Sequence, residues 1–120
     1  MVKDYKSLNV WKKAIELVTI IYKTTELFPK QEHYGLTSQI RKSAVSVPSN
    51  IAEGNSRAST KEYIHFLCIS LGSSAELETQ IIISKNIGYI DSKKCEKILS
   101  KIIIIRKMLP ALSTKLKEKI

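Results

Sequence analysis

The side chains with the widest chemical range in this 120-residue chain are two histidines, His33 and His65, and two cysteines, Cys68 and Cys95. A zinc centre needs three or four ligands. The histidines sit in different segments, neither lies four residues from another ligand type, and no His/Cys cluster forms. The cysteines make no Cys-x-x-Cys pair, and each falls in an apolar helical context, the setting of a reduced core thiol. His65, beside Phe66, reads as a half-exposed helix residue rather than a base. Neither Gly-x-x-x-x-Gly-Lys nor Gly-x-Gly-x-x-Gly occurs, so no phosphate-cradling loop is expected. Glu76 and Glu78, two apart on a helix, point to different faces and make no carboxylate pair. The expectation is a protein with no catalytic centre, metal or cofactor.

Charge is the stronger chemical feature. The formal net charge is +9, and it is segregated. Residues 93–120 carry nine basic side chains against Glu96 and Glu118, whereas residues 59–90 carry Lys61 and Lys85 against Glu62, Glu76 and Glu78. Such a gradient fits a polyanionic partner. A solvated lysine-rich face would give the same excess. Lys93, Lys97 and Lys101 are spaced by four and make one helical stripe, with Lys94 and Lys107 near it. Lys42 and Arg57 are further candidate phosphate contacts. There is no helix-turn-helix signature, aromatic stacking platform or zinc finger, so backbone or shape recognition with weak sequence preference is expected.

The elements that carry these residues are helices. Only 7% of residues are aromatic, with four glycines and three prolines, too few turn residues for a sheet protein of this length. A first helix is expected over about 8–28, with Trp11, Ala14, Ile15, Val18, Tyr22, Thr25 and Phe28 on one face, Asn9 as a possible cap and Pro29 as its stop. A second, about 36–54, repeats Leu36, Ile40, Ala44, Val47 and Ile51, kinks at Pro48 and ends at Gly54 in a left-handed stop. A third, about 60–87, opens on a Ser59–Glu62 capping box and shows two apolar faces, Tyr63 to Ser84 and Ile64 to Ile82. Gly72 within it is expected to permit tight packing. A fourth, about 92–116, starts at Asp91 or Ser92 and carries Cys95, Ile98, Ile102, Ile105, Leu109, Leu112 and Leu116 as a near-heptad stripe, with a possible kink at Pro110.

Short connections make this an all-α, antiparallel up-down-up-down four-helix bundle in a single domain, 1–120. Ile103, Ile104 and Met108 lie off the stripe of helix four. That helix is apolar over more of its circumference than three partners can cover, which argues for self-association. The first residues are polar, and the longest isoleucine run, Ile102 to Ile105, is far short of a membrane span. A soluble cytoplasmic protein with no membrane partner is expected.

The run Phe28-Pro29, Glu32, Tyr34-Gly35-Leu36, Gln39-Ile40-Arg41-Lys42, Ala44, Ser46-Val47-Pro48, Asn50-Ile51-Ala52-Glu53-Gly54 closely resembles the signature of the 23S rRNA intervening-sequence proteins, the S23-type four-helix bundles. Phe66-Leu67, Ile69, Gly72-Ser73 and Glu76-Leu77-Glu78 resemble its second signature. The likeness spans about Trp11 to Tyr89. It implies kinship with reading frames inside insertions of bacterial large-subunit rRNA genes. It also implies a relation to the accessory variability determinant of diversity-generating retroelements, a basic, barrel-shaped homopentamer that binds nucleic acid and a reverse transcriptase. No enzymatic activity comes with the resemblance.

Arg41, Asn50, Glu53, Glu76 and Glu78 lie near expected helix contacts and are read as a structural polar network. Arg41 is expected to pair with Glu76 or Glu78, within or between protomers, because buried charges must be paired. The alternative leaves Arg41 free to bind phosphate. Two other functions stay open. One is a scaffold that docks a protein such as a reverse transcriptase. The minor one is a ribonuclease: some all-helical toxins place Arg and His close together on one helix, but here seven residues separate Arg57 from His65.

Overall fold

α3 and α4 start, and α3 stops, where the sequence supplies a local reason. The computed structural model describes residues 4–119. They form α1 (Asn9–Thr25), α2 (Leu36–Asn55), α3 (Thr60–Asn86) and α4 (Ser92–Lys117), with 3-10 turns at Tyr5–Ser7 and Lys30–Glu32. Ser59 caps α3, its Oγ accepting the Glu62 amide at 3.1 Å, and Asp91 caps α4 by accepting the Lys94 amide at 2.7 Å. α3 ends at Gly88, which adopts φ 87. There the Tyr89 amide donates to the Ser84 carbonyl and the Gly88 amide to Lys85, the paired bonds of a left-handed helix stop.

Three expected boundaries differ. α1 ends at Thr25 rather than at Phe28 before Pro29, with Glu26 and Leu27 in a turn. Asn9 does not cap α1. Asp4 caps the preceding 3-10 turn, and extended Leu8 alone separates that turn from α1, at the cap position and with no side-chain cap bond. Gly54 is not a left-handed stop, since α2 continues through it to Asn55. Its lack of a side chain serves packing instead: a Cβ there would lie 2.8 Å from Phe66 Cβ and 3.0 Å from Tyr63 Cδ1. Gly72 shows the reverse. It is exposed, and nothing lies within 4 Å of a Cβ added there, so the expected tight packing is absent. Pro48 and Pro110 each remove an amide donor, yet both sit inside unbroken helices.

Consecutive helices pack side by side and α1 closes the ring against α4, while across the diagonals no Cα pair comes within 8 Å. The result is the antiparallel four-helix bundle. Among neighbouring helices, α2 and α3 share the most extensive contact and α1 and α4 the least. Small side chains explain the close pair. Ser46 and Ser73 hydroxyls meet at 2.7 Å, and Ser70 Oγ donates to the Val47 carbonyl at 2.9 Å. Buried Ser74 and Ser84 donate to carbonyls within α3, so these core hydroxyls are satisfied.

The core faces of α2, α3 and α4 follow the expected stripes, with Ile40, Val47, Ile51, Leu77, Ile81, Ile98, Ile102 and Ile105 all at or below 1% exposure. Burying each such side chain contributes about 1.5–3 kcal/mol. α1 is rotated from expectation. Val10, Leu17, Ile21 and Thr24 turn inward with Ala14, Thr25 and Phe28, while Ile15 and Tyr22 stay exposed. α1 carries two apolar stripes of equal period, and only contact with α2 and α4 selects one.

Ile64 and Leu71 on the second face of α3 are half-buried, but Ile82 and Cys68 are exposed. This helix has the length and composition of a membrane span, with mean hydropathy 1.2 over its most apolar window, yet it packs between α2 and α4. The expectation of two core cysteines therefore holds for Cys95 alone. A thiol reagent should label Cys68 in the native protein within minutes and Cys95 only after unfolding. Equal labelling rates, followed by mass spectrometry, would contradict this placement.

Candidate nucleic-acid interface

Helical geometry distributes the cations of α4. A step of four residues advances about 40° beyond a full turn, so Lys93, Lys97 and Lys101 wind slowly around the helix. Lys93 and Lys97 are exposed, and Lys101 is half-buried. The winding direction is set by Arg106, whose Nη1 donates to Glu78 Oε1 at 2.8 Å and so marks the flank of α4 that faces α3. Lys101 lies about 140° around the helix from Arg106, toward α1. Met108, one heptad after Lys101, lines a groove of about 260 Å³ with Leu8, Val10 and Lys115, which confirms that this flank meets α1. Lys94 and Lys97 share it. Lys13 of α1 is exposed and lies on the flank opposite Tyr22, so the same side gains a cation that sequence spacing did not identify. Its only sequence clue was its place opposite the α2-facing stripe of α1, which required knowing which stripe faces inward.

The lysines of this α1/α4 side are uncommitted. Among the described residues the ion pairs are Arg57–Glu53 and Arg106–Glu78, and neither uses a lysine. Cations without carboxylate partners are those most available to phosphate.

Other candidates fall elsewhere. Lys107 is exposed on the outer α3 flank of α4. Lys42 lines a polar groove between α2 and α3 with Gln39, Ser43, Ser46, Ser73 and Glu76. Arg57 pairs with Glu53 at 3.5 Å and stacks on Phe66 at 4.8 Å from the ring centroid, so its charge is already engaged. His65 is exposed with its ring against the edge of Phe66, and no acid or base partner bonds to it among the described residues. No group of three His, Cys, Asp or Glu among them could hold a metal.

The expected polar network separates into local pieces. Arg41 does not meet Glu76 or Glu78 within the chain. Its Nε donates to Thr25 Oγ1 at 2.9 Å and its Nη2 to the Tyr22 carbonyl at 3.3 Å, with the guanidinium 4.5 Å from the Tyr22 ring centroid. Its side of α2 faces α1, whereas both carboxylates are on α3. Glu78 instead takes Arg106 of α4. Asn50 donates to the Ser46 carbonyl and hydroxyl, tying the α2 side of the serine contact.

Glu32 has a role that spacing did not reveal. Its Oε1 accepts the Leu36 amide at 3.2 Å, at the start of α2, and its Oε2 accepts the Tyr89 hydroxyl at 2.7 Å. One carboxylate thus joins the α1–α2 connection to the α3–α4 connection, beside the Phe28–Tyr89 ring contact at 5.2 Å. The hydrogen bond to Glu32, then burial, then the negative charge of Glu32 raise the Tyr89 pKa above 10.0. A raised folded-state pKa means that this stabilisation is complete below pH 10 and fades as the pH climbs through the folded value. Glu32→Ala should cost about 1–2 kcal/mol through the lost helix cap. Glu32→Gln should lower the pH at which Tyr89 phenolate absorbance appears. An unchanged phenolate titration would remove the Glu32–Tyr89 bond from the account.

Fold and surface together define a small, basic four-helix bundle whose described residues hold no metal-ligand group. More particularly, the chain belongs to the 23S rRNA-intervening sequence protein family, whose model matches residues 6–111. It is similar to the crystal structure of a protein of unknown function from the S23 ribosomal protein family of Bacteroides thetaiotaomicron VPI-5482. That likeness has 26% identity and a TM-score of 0.79, and it covers 87% of this chain and 97% of the other. No curated protein matches the chain. Neither family description names an enzymatic activity.

Proposed function

We propose that this chain is a non-enzymatic protein that assembles with copies of itself and binds nucleic acid through the lysines of its α1/α4 side. The observation that carries the reading is the row Lys94, Lys97 and Lys101, continued by Lys93 and Lys13, with no carboxylate bonded to any of them. Each phosphate contact releases counterions, so the affinity rests on charge and is steeply salt-dependent. Self-assembly is supported by apolar side chains left in solvent, among them Ile82, Ile83, Ile103 and Ile104 at 42–45% exposure. An assembly multiplies weak contacts, because several lysine rows then act on one polyanion.

A salt-titrated gel shift with purified protein, on duplex DNA and on structured RNA, tests the binding. Binding that weakens steeply from low to moderate salt supports it. No shift at low ionic strength would sink it and favour the rival reading, a scaffold that docks a protein partner such as a reverse transcriptase. Cleavage of the RNA that vanishes in His65→Ala would favour the ribonuclease instead.

A further inference from the structure

A cavity of about 470 Å³ lies between the α1–α2 connection and the first two turns of α2. Two side chains of α2 line it, Thr37 and Arg41, four residues apart and so on one face of the helix. Thr37 is 4% exposed, and its hydroxyl has no hydrogen-bond partner among the described residues. The sealed polar atoms without a partner are those of Thr24, Gln80 and Arg106, so the Thr37 hydroxyl opens on the cavity. A buried hydroxyl is ordinarily paired within the protein. This one is a donor turned to whatever occupies the cavity.

Arg41 is held in place beside it. Its Nε donates to the buried Thr25 Oγ1 at 2.9 Å, its Nη2 donates to the Tyr22 carbonyl at 3.3 Å, and its guanidinium lies 4.5 Å from the Tyr22 ring centroid. These bonds use two of its five N–H donors and leave three. Lys30 and His33 line the cavity from the connection. Among the described residues neither Arg41 nor Lys30 is in an ion pair. Glu26 is the one acid of the lining, so two cations face one carboxylate and the lining is positive. The start of α2 adds to this. Gly35 supplies no side-chain cap, and although Glu32 takes the Leu36 amide, the Thr37 and Ser38 amides have no acceptor among the described residues. The positive end of the helix therefore favours an anion here.

Tyr34 lines the same cavity, yet its side chain is 93% exposed, with its ring edge-on to His33 at 4.6 Å. So large a ring in solvent offers a free face on which a flat group can stack.

We propose that this cavity binds a small phosphate monoester that carries a flat ring, a nucleoside monophosphate being the simplest case. Arg41 and Lys30 hold the phosphate, Thr37 and His33 donate to its oxygens, and Tyr34 covers the ring. A carboxylate matches the site less well, because one guanidinium fork satisfies it, whereas three phosphate oxygens use donors from several side chains. The site shares no residue with the lysine row of α4 and does not depend on it.

Isothermal titration calorimetry with AMP and with inorganic phosphate tests the site. Wild type should bind AMP one to one, and more tightly than inorganic phosphate. Thr37→Val keeps the side-chain shape and removes the donor. It should weaken both ligands roughly tenfold or more, the loss of a hydrogen bond to a charged group. Lys30→Ala should weaken both as well. Tyr34→Ala should weaken AMP by about fivefold or more and leave inorganic phosphate unchanged, because only base stacking is lost. Lys30 and Tyr34 are exposed and their side chains make no hydrogen bond among the described residues, so these two variants keep the test open if circular dichroism shows that Thr37→Val loses helix. No binding of either ligand at millimolar concentration overturns the site. AMP binding that survives all three substitutions overturns it too and places the nucleotide elsewhere. Equal affinity for AMP and phosphate, untouched by Tyr34→Ala, overturns the ring half of the proposal and leaves phosphate alone as the ligand. A free nucleotide and the phosphorylated end of a strand offer the same group. Tighter binding of AMP than of a 5′-phosphorylated dinucleotide assigns the site to the first, and the reverse order to the second.

Discussion

Changing Lys93, Lys97 and Lys101 together to glutamate should weaken nucleic-acid binding by roughly 100- to 500-fold near 0.1 M salt. The magnitude follows from counterion release. Each phosphate contact on a duplex contributes a slope of about −0.9 in log affinity against log salt, or roughly eightfold at that salt. Three contacts multiply to roughly 500-fold, and Lys101, half-buried, sets the lower bound. The slope itself should become shallower by about 2.7. The fold should survive. None of the three side chains takes part in a hydrogen bond or ion pair among the described residues, and a glutamate at position 93 sits in the first turn of α4, where negative charge is favourable. The loss should be uniform across sequences, because phosphate contacts carry no base information. Fluorescence anisotropy at several salt concentrations measures both quantities. A triple variant with wild-type affinity and slope would exclude this face, whatever the wild type binds.

Gly54→Ala should destabilise the bundle by up to about 2 kcal/mol, although alanine is the better helix former. Helix propensity alone favours the change by about 1 kcal/mol. Against it stands a Cβ 2.8 Å from Phe66 Cβ and 3.1 Å from the Tyr63 carbonyl oxygen. The first contact is to the root of a side chain and the second to backbone, so relief requires α3 to move away from α2. Such overpacking costs about 1–3 kcal/mol. Valine should cost more. Gly72→Ala is the control, since it meets nothing within 4 Å and should gain up to about 1 kcal/mol. Urea unfolding followed by circular dichroism reads both. Equal gains at the two positions would mean that α2 and α3 are not in the close contact described.

Much of the architecture was legible in the chain because its determinants are local. Ser59, Asp91 and Gly88 act on amides and carbonyls within a few residues, so their effects can be read without a fold. The inward stripes of α2 and α4 were legible for a related reason: each has one main set of apolar positions at helical spacing. α3 shows two apolar faces, of which Leu67, Leu77 and Ile81 lie inside while Ile82 lies outside. α1 has two, Val10-Leu17-Ile21 and Ile15-Val18-Tyr22, and periodicity cannot rank them. That error hid Lys13, because the direction of a surface lysine depends on which stripe is inside. Gly54 and Gly72 were exchanged in role for the same reason, since the distance from a helical glycine to its neighbour is a property of the pair.

The sequence by itself determined that the chain is helical, where each helix begins and ends to within a few residues, and that positive charge gathers in its last quarter. Those follow from covalent spacing and nearest-neighbour hydrogen bonding. Only the tertiary structure decided that Arg41 turns to Tyr22 and Thr25 while Glu78 turns to Arg106, and that the α4 lysines share a side with α1. Those depend on how each helix is rotated about its own axis. The rotation is set by burying the best-fitting faces of all four helices at once, a condition that no single segment contains.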